Sequence, residues 1–233
     1  MIEVKSITKT YGKKRNIFTA LKDVSVEIPT GASVAILGKS GSGKSTLMHA
    51  MSGLDRPEAG EVIIDGQDIL QLSAKEVDKF RSSKMSFIFQ SFFIQANESC
   101  FDNVSLPLEI AGVPRSKRRA QINEALEAVE LYDKKKSRAR DLSGGQKQRL
   151  AVARAIVNKP SILFADEPTW NLDSTTGAVV EDLLFGYNKA NGVTLIIVTH
   201  DPDLAAKCDM QIHIKDGSIS SIDKTKADRK AKK

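Results

Sequence analysis

The tightest constraint on this chain is the octapeptide Gly38-Lys39-Ser40-Gly41-Ser42-Gly43-Lys44-Ser45, which fits every fixed position of G-x-x-x-x-G-K-[ST]. The apolar run Ser33 to Leu37 precedes it, and a helical stretch from Lys44 to about Ser52 follows. Such a short apolar run reads as a strand buried on both faces. Gly38, Gly41 and Gly43 let the backbone turn tightly, so that consecutive N–H groups face one anionic group. The following helix adds its positive end. Lys44 supplies a full charge for β- and γ-phosphates, the Ser45 hydroxyl is placed to ligate Mg²⁺, and Thr46 is expected to reach an α-phosphate.

The surrounding pattern alternates. Ile2, Val4 and Ile7 open one strand, and Val24, Val26 and Ile28 alternate in a second, closed by the turn Pro29-Thr30-Gly31. Glu61 to Asp65 and Met85 to Phe89 read as further strands. From about Phe101 to Asn158 the pattern becomes helical, with Ile122, Leu126 and Val129 on one face and Pro107 and Pro114 as punctuation. The last third returns to strands at Ser161 to Ala165, Val193 to Val198 and Met210 to Ile214, with a helix over Thr175 to Ala190. Strands alternating with helices predict an α/β core around a mostly parallel sheet, with the helical middle as a lobe of its own.

Asp166 and Glu167 end an apolar strand. Two adjacent acids alone often form a solvated pair, but a phosphate loop upstream gives them a role. Asp166 is expected to bind Mg²⁺, directly or through water, and Glu167 to polarise a water for in-line attack on a γ-phosphate. His200 also follows an apolar strand and is expected to contact the γ-phosphate and hold the water or Glu167 in place. His49 and His213 lack such a setting and read as structural. Gln90 ends the strand Met85 to Phe89; its local sequence leaves open whether its amide ligates Mg²⁺ and contacts the attacking water.

Leu142-Ser143-Gly144-Gly145-Gln146 opens a second helix with Ser143 as N-cap and two glycines that leave backbone N–H groups exposed. One triphosphate needs one such cradle beyond Mg²⁺ and Lys44, so the second is expected to serve another nucleotide.

With these motifs in order, the chain resembles an ABC (ATP-binding cassette) transporter nucleotide-binding subunit over residues 1–222. The resemblance implies a P-loop NTPase (RecA-like) α/β core, with an N-terminal antiparallel β subdomain and an inserted α-helical subdomain at about 91–158. It implies that Tyr11 stacks on adenine and that Gly38, Lys39, Ser40, Gly41, Ser42, Gly43, Lys44, Ser45 and Thr46 hold ATP. Gln90 matches the Q-loop, as catalytic residue and metal ligand. Ser143, Gly144, Gly145 and Gln146 match the signature that meets the partner subunit's ATP, Asp173 the D-loop, and His200 the switch histidine. Asp166 matches the Mg²⁺-binding acid and Glu167 the catalytic base. The family pairs two such subunits head to tail around two ATP molecules, closed by two-fold symmetry.

A narrower resemblance, on FQSFF, NVSLPLEIAG and FADEPTxNLDS, is to the lipoprotein-releasing and macrolide-exporter branch, which includes a cell-division ATPase. It implies integral membrane permease partners, a place on the inner face of the cell membrane, and export, lipoprotein release or mechanical transmission. The alternative within the branch is a regulator of cell-wall hydrolases. Two departures stand out: Trp170, the chain's only tryptophan, where the branch usually has Gly, and the polar stretch Ile94 to Cys100 after Gln90.

Composition sets the remaining bounds. The 233 residues contain no run of about 18 apolar residues, so no membrane span is expected. The N-terminus has no apolar segment followed by small residues, which argues for a cytosolic chain. Cys100 and Cys208, far apart and without a CxxC spacing, are expected to be free thiols. Net charge is +6, and Asp223 to Lys233 carry six Lys/Arg against two Asp, a tail expected to be disordered and either solvated or in touch with anionic lipid. A DNA-acting cassette would carry a long coiled coil between the phosphate loop and LSGGQ. Only about a hundred residues lie between Gly38 and Leu142, so no nucleic-acid partner is expected.

Overall fold

The computed structural model describes residues 1–13 and 16–224. In chain order its elements are β1 (Ile2–Tyr11), β2 (Phe18–Ile28), β3 (Ser33–Leu37), α1 (Lys44–Met51), β4 (Ala59–Ile64), β5 (Gln67–Asp68), α2 (Ala74–Lys84) and β6 (Met85–Ile88). Three helices follow, α3 (Cys100–Ile110), α4 (Arg115–Ala128) and α5 (Gly144–Ile156). The chain then runs through β7 (Ile162–Asp166), α6 (Ser174–Asn191), β8 (Thr194–Val198), α7 (Pro202–Ala206), β9 (Met210–Lys215) and β10 (Ser218–Lys224).

The strands form two sheets. An antiparallel one has the order β2-β1-β4-β5. The other has the order β10-β9-β3-β8-β7-β6, parallel from β9 to β6, with β10 antiparallel at one edge. Side chains of a strand alternate between faces, so a strand covered on both faces must be apolar throughout. In β7, Ile162 and Phe164 enter the core shared with the antiparallel sheet and α1, while Leu163 and Ala165 enter the core shared with α3, α4, α5 and α6. Phe164 is fully buried and stacks on Phe87 at 5.3 Å. Ile122 and Leu126 are buried on the inner face of α4, and Val129 is buried just past its end, as their spacing predicts. Both cysteines are buried free thiols, and burial pushes the Cys208 thiol up to about 12.

Three local features differ from the sequence expectation. Helix α2 was not expected; its signal was the capping box Ser73 to Glu76, where the Ser73 N–H and hydroxyl donate to the Glu76 carboxylate at 2.9 and 2.6 Å. Pro107 does not break the chain's helix but sits inside α3 near its end, and Asn158 Nδ2 donates to its carbonyl oxygen at 3.2 Å. Asp223 and Lys224, assigned to the tail, belong to β10 opposite Gln211 and Met210; residues 225–233, the rest of that tail, lie outside the described residues. No helix among the described residues is long and apolar enough to cross a membrane.

Candidate functional site

Four neighbouring parallel strands deliver the candidate residues to one edge. Ile36 of β3 and Asp166 of β7 both stand opposite Val198 of β8, and Ile88 of β6 stands opposite Ala165. The residues just beyond these strand ends therefore emerge side by side, at the carboxyl edge where open α/β sheets take ligands. They line one cavity of about 670 Å³. Its wall contains Gly38, Lys39, Ser40, Gly41, Gly43, Lys44, Ser45 and Thr46, together with Gln90, Asp166, Glu167 and His200. Tyr11 completes the expected set, beside its cross-strand partner Phe18. Ser42 is the exception: it is buried, absent from this wall, and its Oγ has no hydrogen-bond partner among the described residues.

The loop's shape requires glycine at its close. Gly43, at φ 110°, caps α1, and a Cβ there would stand 2.6 Å from the Ala20 carbonyl oxygen. No side chain caps this helix, so its first N–H groups are left for a ligand. Among the described residues, Lys44 Nζ donates only to the loop's own Gly38 and Lys39 carbonyl oxygens, at 2.9 and 3.1 Å.

The opposite wall is acidic and tightly held. Ser45 Oγ donates to Asp166 Oδ2 at 3.3 Å. Burial pushes the Asp166 carboxyl up from its ordinary value; the Ser45 hydrogen bond opposes this and the Glu167 charge adds to it. Glu167 sits in the left-handed region at φ 46°, an uncommon conformation for a residue with a side chain. Its N–H donates to the Val198 carbonyl oxygen at 2.8 Å, and its carboxylate is gripped at both oxygens. Thr199 Oγ1 donates to Oε2 at 3.3 Å and His200 Nδ1 lies 2.9 Å from Oε1. Hard oxygen donors such as the Ser45 hydroxyl and Asp166 carboxylate suit Mg²⁺, and an uncapped helix end beside Lys44 suits a triphosphate, so the residues present fit both groups.

The signature lies apart from this cavity. Ser143, Gly145 and Gln146 line a separate hollow of about 220 Å³ with Thr175 and Thr176 of α6. Here the helix end is closed by its own side chains: Ser143 Oγ accepts from the Gln146 N–H at 3.3 Å, and Gln146 Oε1 accepts from the Ser143 N–H at 3.0 Å. The two glycines differ. A Cβ on Gly144 would meet nothing within 4 Å, whereas one on Gly145 would stand 2.1 Å from Thr176 Cγ2. Thr176 is itself anchored by Asp173, whose carboxylate accepts from its N–H at 3.0 Å and its hydroxyl at 2.6 Å. Those bonds hold the Asp173 carboxyl below its ordinary value.

Sequence reasoning missed several members of the site. Phe18 lacked any motif; only the register of β1 against β2 sets it beside Tyr11. Lys9, buried, pairs with Asp55 at 2.8 Å, and Asp55 also accepts from the Tyr11 hydroxyl at 2.6 Å. Trp170 stands on the cavity wall as well as beside the D-loop, its ring edge-on to His200 at a centroid distance of 4.9 Å. His49 lies in a neighbouring hollow with Gln90 and Asp166, and His213 Nε2 lies 3.2 Å from Asp223 Oδ2.

A phosphate loop on a parallel sheet, an acidic strand end facing it and a second glycine-bearing helix end define a P-loop NTPase of the cassette kind. The chain belongs to the ABC transporter family, whose model matches residues 21–170, and it is an ATP-binding, ATP-hydrolysing subunit of that family. It is 40% identical to the lipoprotein-releasing system ATP-binding protein LolD of Syntrophus aciditrophicus, over 94% of this chain and 98% of that one. It is equally 40% identical to the LolD of Leptospira interrogans, over 100% of this chain and 96% of that one. Likeness extends to the macrolide export protein MacB of Aggregatibacter actinomycetemcomitans, at 41% identity over 95% of this chain and 34% of that longer one. Among solved structures it resembles an ATP-binding cassette described as a dimer in a post-hydrolysis state bound to ADP and Pi. The TM-score is 0.88 at 39% identity, over 96% of this chain and 98% of that one.

Proposed function

We propose that this chain works as a head-to-tail homodimer that binds two ATP molecules, closes around them, hydrolyses them and drives integral membrane subunits in lipoprotein release or export. The observation that carries this reading is the separation of two anion-binding helix ends within one chain. The α1 end lies in the large cavity and the Ser143 end in a different hollow. Each ATP then lies between one subunit's phosphate loop and the other's signature, and differential affinity for the closed form drives closure.

Within a site, Tyr11 and Phe18 take the adenine face. The N–H groups from Gly38 to Thr46 and the Lys44 ammonium take the phosphates, with Ser42 contributing backbone alone. Ser45, Asp166 and Gln90 would hold Mg²⁺, which when bound offsets negative charge on the phosphate oxygens. Glu167, clamped by Thr199 and His200, orients and polarises the attacking water. His200 faces the γ-phosphate from the other side of that carboxylate. Helices α3 to α5, in a lobe of about 91–158, pass closure to the membrane subunits through the Gln90 segment. The likeness to LolD and MacB supports a place on the inner face of the membrane through those subunits, with no nucleic-acid role.

The test is Glu167→Gln. Hydrolysis is expected to fall by at least about a hundredfold, while size-exclusion chromatography shows an ATP-dependent dimer. Unchanged hydrolysis would remove Glu167 from the chemistry, and an ATP-bound monomer would remove the shared site. Affinity capture from detergent-solubilised membranes should recover a permease; recovery of a cell-wall hydrolase complex instead would favour a regulatory role.

A further inference from the structure

The imidazole of His200 is held by few contacts. Its side chain is 56% exposed, and its Nδ1 lies 2.9 Å from Glu167 Oε1. The other partner is Trp170, whose indole meets the ring edge-on at 4.9 Å and an interplanar angle of 68°. A side chain this exposed has room for other rotamers, so whatever touches it decides how much of the time it stays on the carboxylate.

Trp170, by contrast, is fixed by the backbone. Its N–H donates to the Glu167 carbonyl oxygen at 3.1 Å, closing a turn whose first residue, Glu167, and whose next residue, Asn171, both adopt positive φ, at 46° and 63°. Gln148 of α5 donates its side-chain amide to the Pro168 carbonyl oxygen inside the same turn. The indole is 41% exposed and stands on the wall of the nucleotide cavity. Its backbone is therefore held in place, and its indole offers the imidazole a surface to rest on.

We propose that Trp170 is a positioning residue that keeps His200 docked on Glu167. Nδ1 of the imidazole engages the carboxylate, and Nε2 is left as the ring atom that turns to the phosphate. This rests on the reading of Glu167 and His200 given above. It assigns Trp170 an effect on the chemical step rather than on nucleotide affinity.

The test compares the full chain with Trp170→Gly and Trp170→Phe. Trp170→Gly should lower kcat roughly threefold to tenfold, the range an edge-on aromatic pair supports, with KM for ATP changed less than twofold. Trp170→Phe should restore most of kcat, since a phenyl ring presents the same kind of surface. An unchanged kcat in Trp170→Gly, or a loss confined to KM, overturns the proposal. A second readout needs no turnover. Trp170 is the only tryptophan, so emission excited at the red edge of the absorption band, where the three tyrosines do not absorb, reports its surroundings alone. His200→Ala should shift or change the intensity of that emission, and an identical spectrum shows that the contact is not populated. If the wild-type chain hydrolyses ATP but Trp170→Gly is indistinguishable from it, positioning alone fails. If Glu167→Gln hydrolyses ATP as the wild type does, the underlying assignment fails first.

Discussion

The two glycine-bearing helix ends share a composition and little else. The α1 end has a left-handed glycine as its cap, no side chain closing it among the described residues, and the larger cavity before it. The α5 end is capped by Ser143 and Gln146 and faces a smaller hollow. An open helix end presents unsatisfied N–H groups and a positive potential, so it recruits an anion by itself. A closed end has already met part of that demand. On the proposed dimer reading, the first end suffices to bind nucleotide, and the second contributes only when a partner brings a phosphate to it.

That asymmetry is open to a direct attempt to break it. Lys44→Ala should weaken ATP binding to the monomer roughly a hundredfold, as expected for losing charge-assisted bonds to phosphate. Ser143→Arg should leave monomer binding intact and abolish hydrolysis. Calorimetry and steady-state turnover separate the two. Mixing the two inactive chains should recover activity, because a mixed dimer contains one site free of both lesions. No recovery at any ratio would mean that both lesions act on the same site.

Stability sharpens the same contrast. Gly145→Ala places a Cβ against Thr176 and should cost about 1–3 kcal/mol in urea unfolding. Gly144→Ala meets open space and should be neutral or gain about 0.5–1 kcal/mol from better helix propensity. Equal effects would show that Gly145 is not a packing residue.

Smaller effects belong to the aromatic wall. Burial works against ionisation of Asp55, but hydrogen bonds from Lys9 and Tyr11 outweigh it and hold the carboxyl below its ordinary 3.8. A depressed carboxyl contributes stability above its unfolded value and loses it as pH falls through the folded one. Lys9→Met should therefore cost about 1 kcal/mol at neutral pH, and the gap to wild type should narrow below about pH 4. A gap that widens in acid would reverse the assignment. Phe18→Ala should raise KM for ATP a few fold with little change in kcat, since it removes only ring contact to the base.

Much of this molecule is written locally. The run from Ser33 to Leu37, the phosphate loop and the helix from Lys44 fall where the pattern puts them, because burial on both faces leaves an unbroken apolar signature. Asp166, Glu167 and His200 could be placed at this edge because each ends or follows such a run, whereas Gln90 was assigned its role only by the family resemblance. What escaped depends on relations across the chain. Phe18 joins Tyr11 through strand register. Gly145 answers to Thr176, thirty-one positions later. Thr199 reaches Glu167, and Trp170 reaches His200, only once β7 and β8 lie side by side. Strand β10 was hidden because Ser218 to Lys224 has one mostly exposed face and runs into the basic tail.

The neighbourhood of β6 and β7 has a consequence for how such a chain diverges. These adjacent strands deliver Gln90 on one side and Asp166 on the other, and every residue of α3, α4 and α5 lies on the excursion between them. Seen from the sheet, some seventy residues, about half of them helical, are an insertion whose ends are pinned a strand's width apart. Substitutions or length changes in α3 and α4 leave the strand ends that carry the phosphate loop, Asp166 and Glu167 in place, whereas Gln90 and Ser143 to Gln146 lie on the excursion itself. Selection is then free to refit those two helices to a new neighbour without reopening the problem of how to cleave a phosphoanhydride bond.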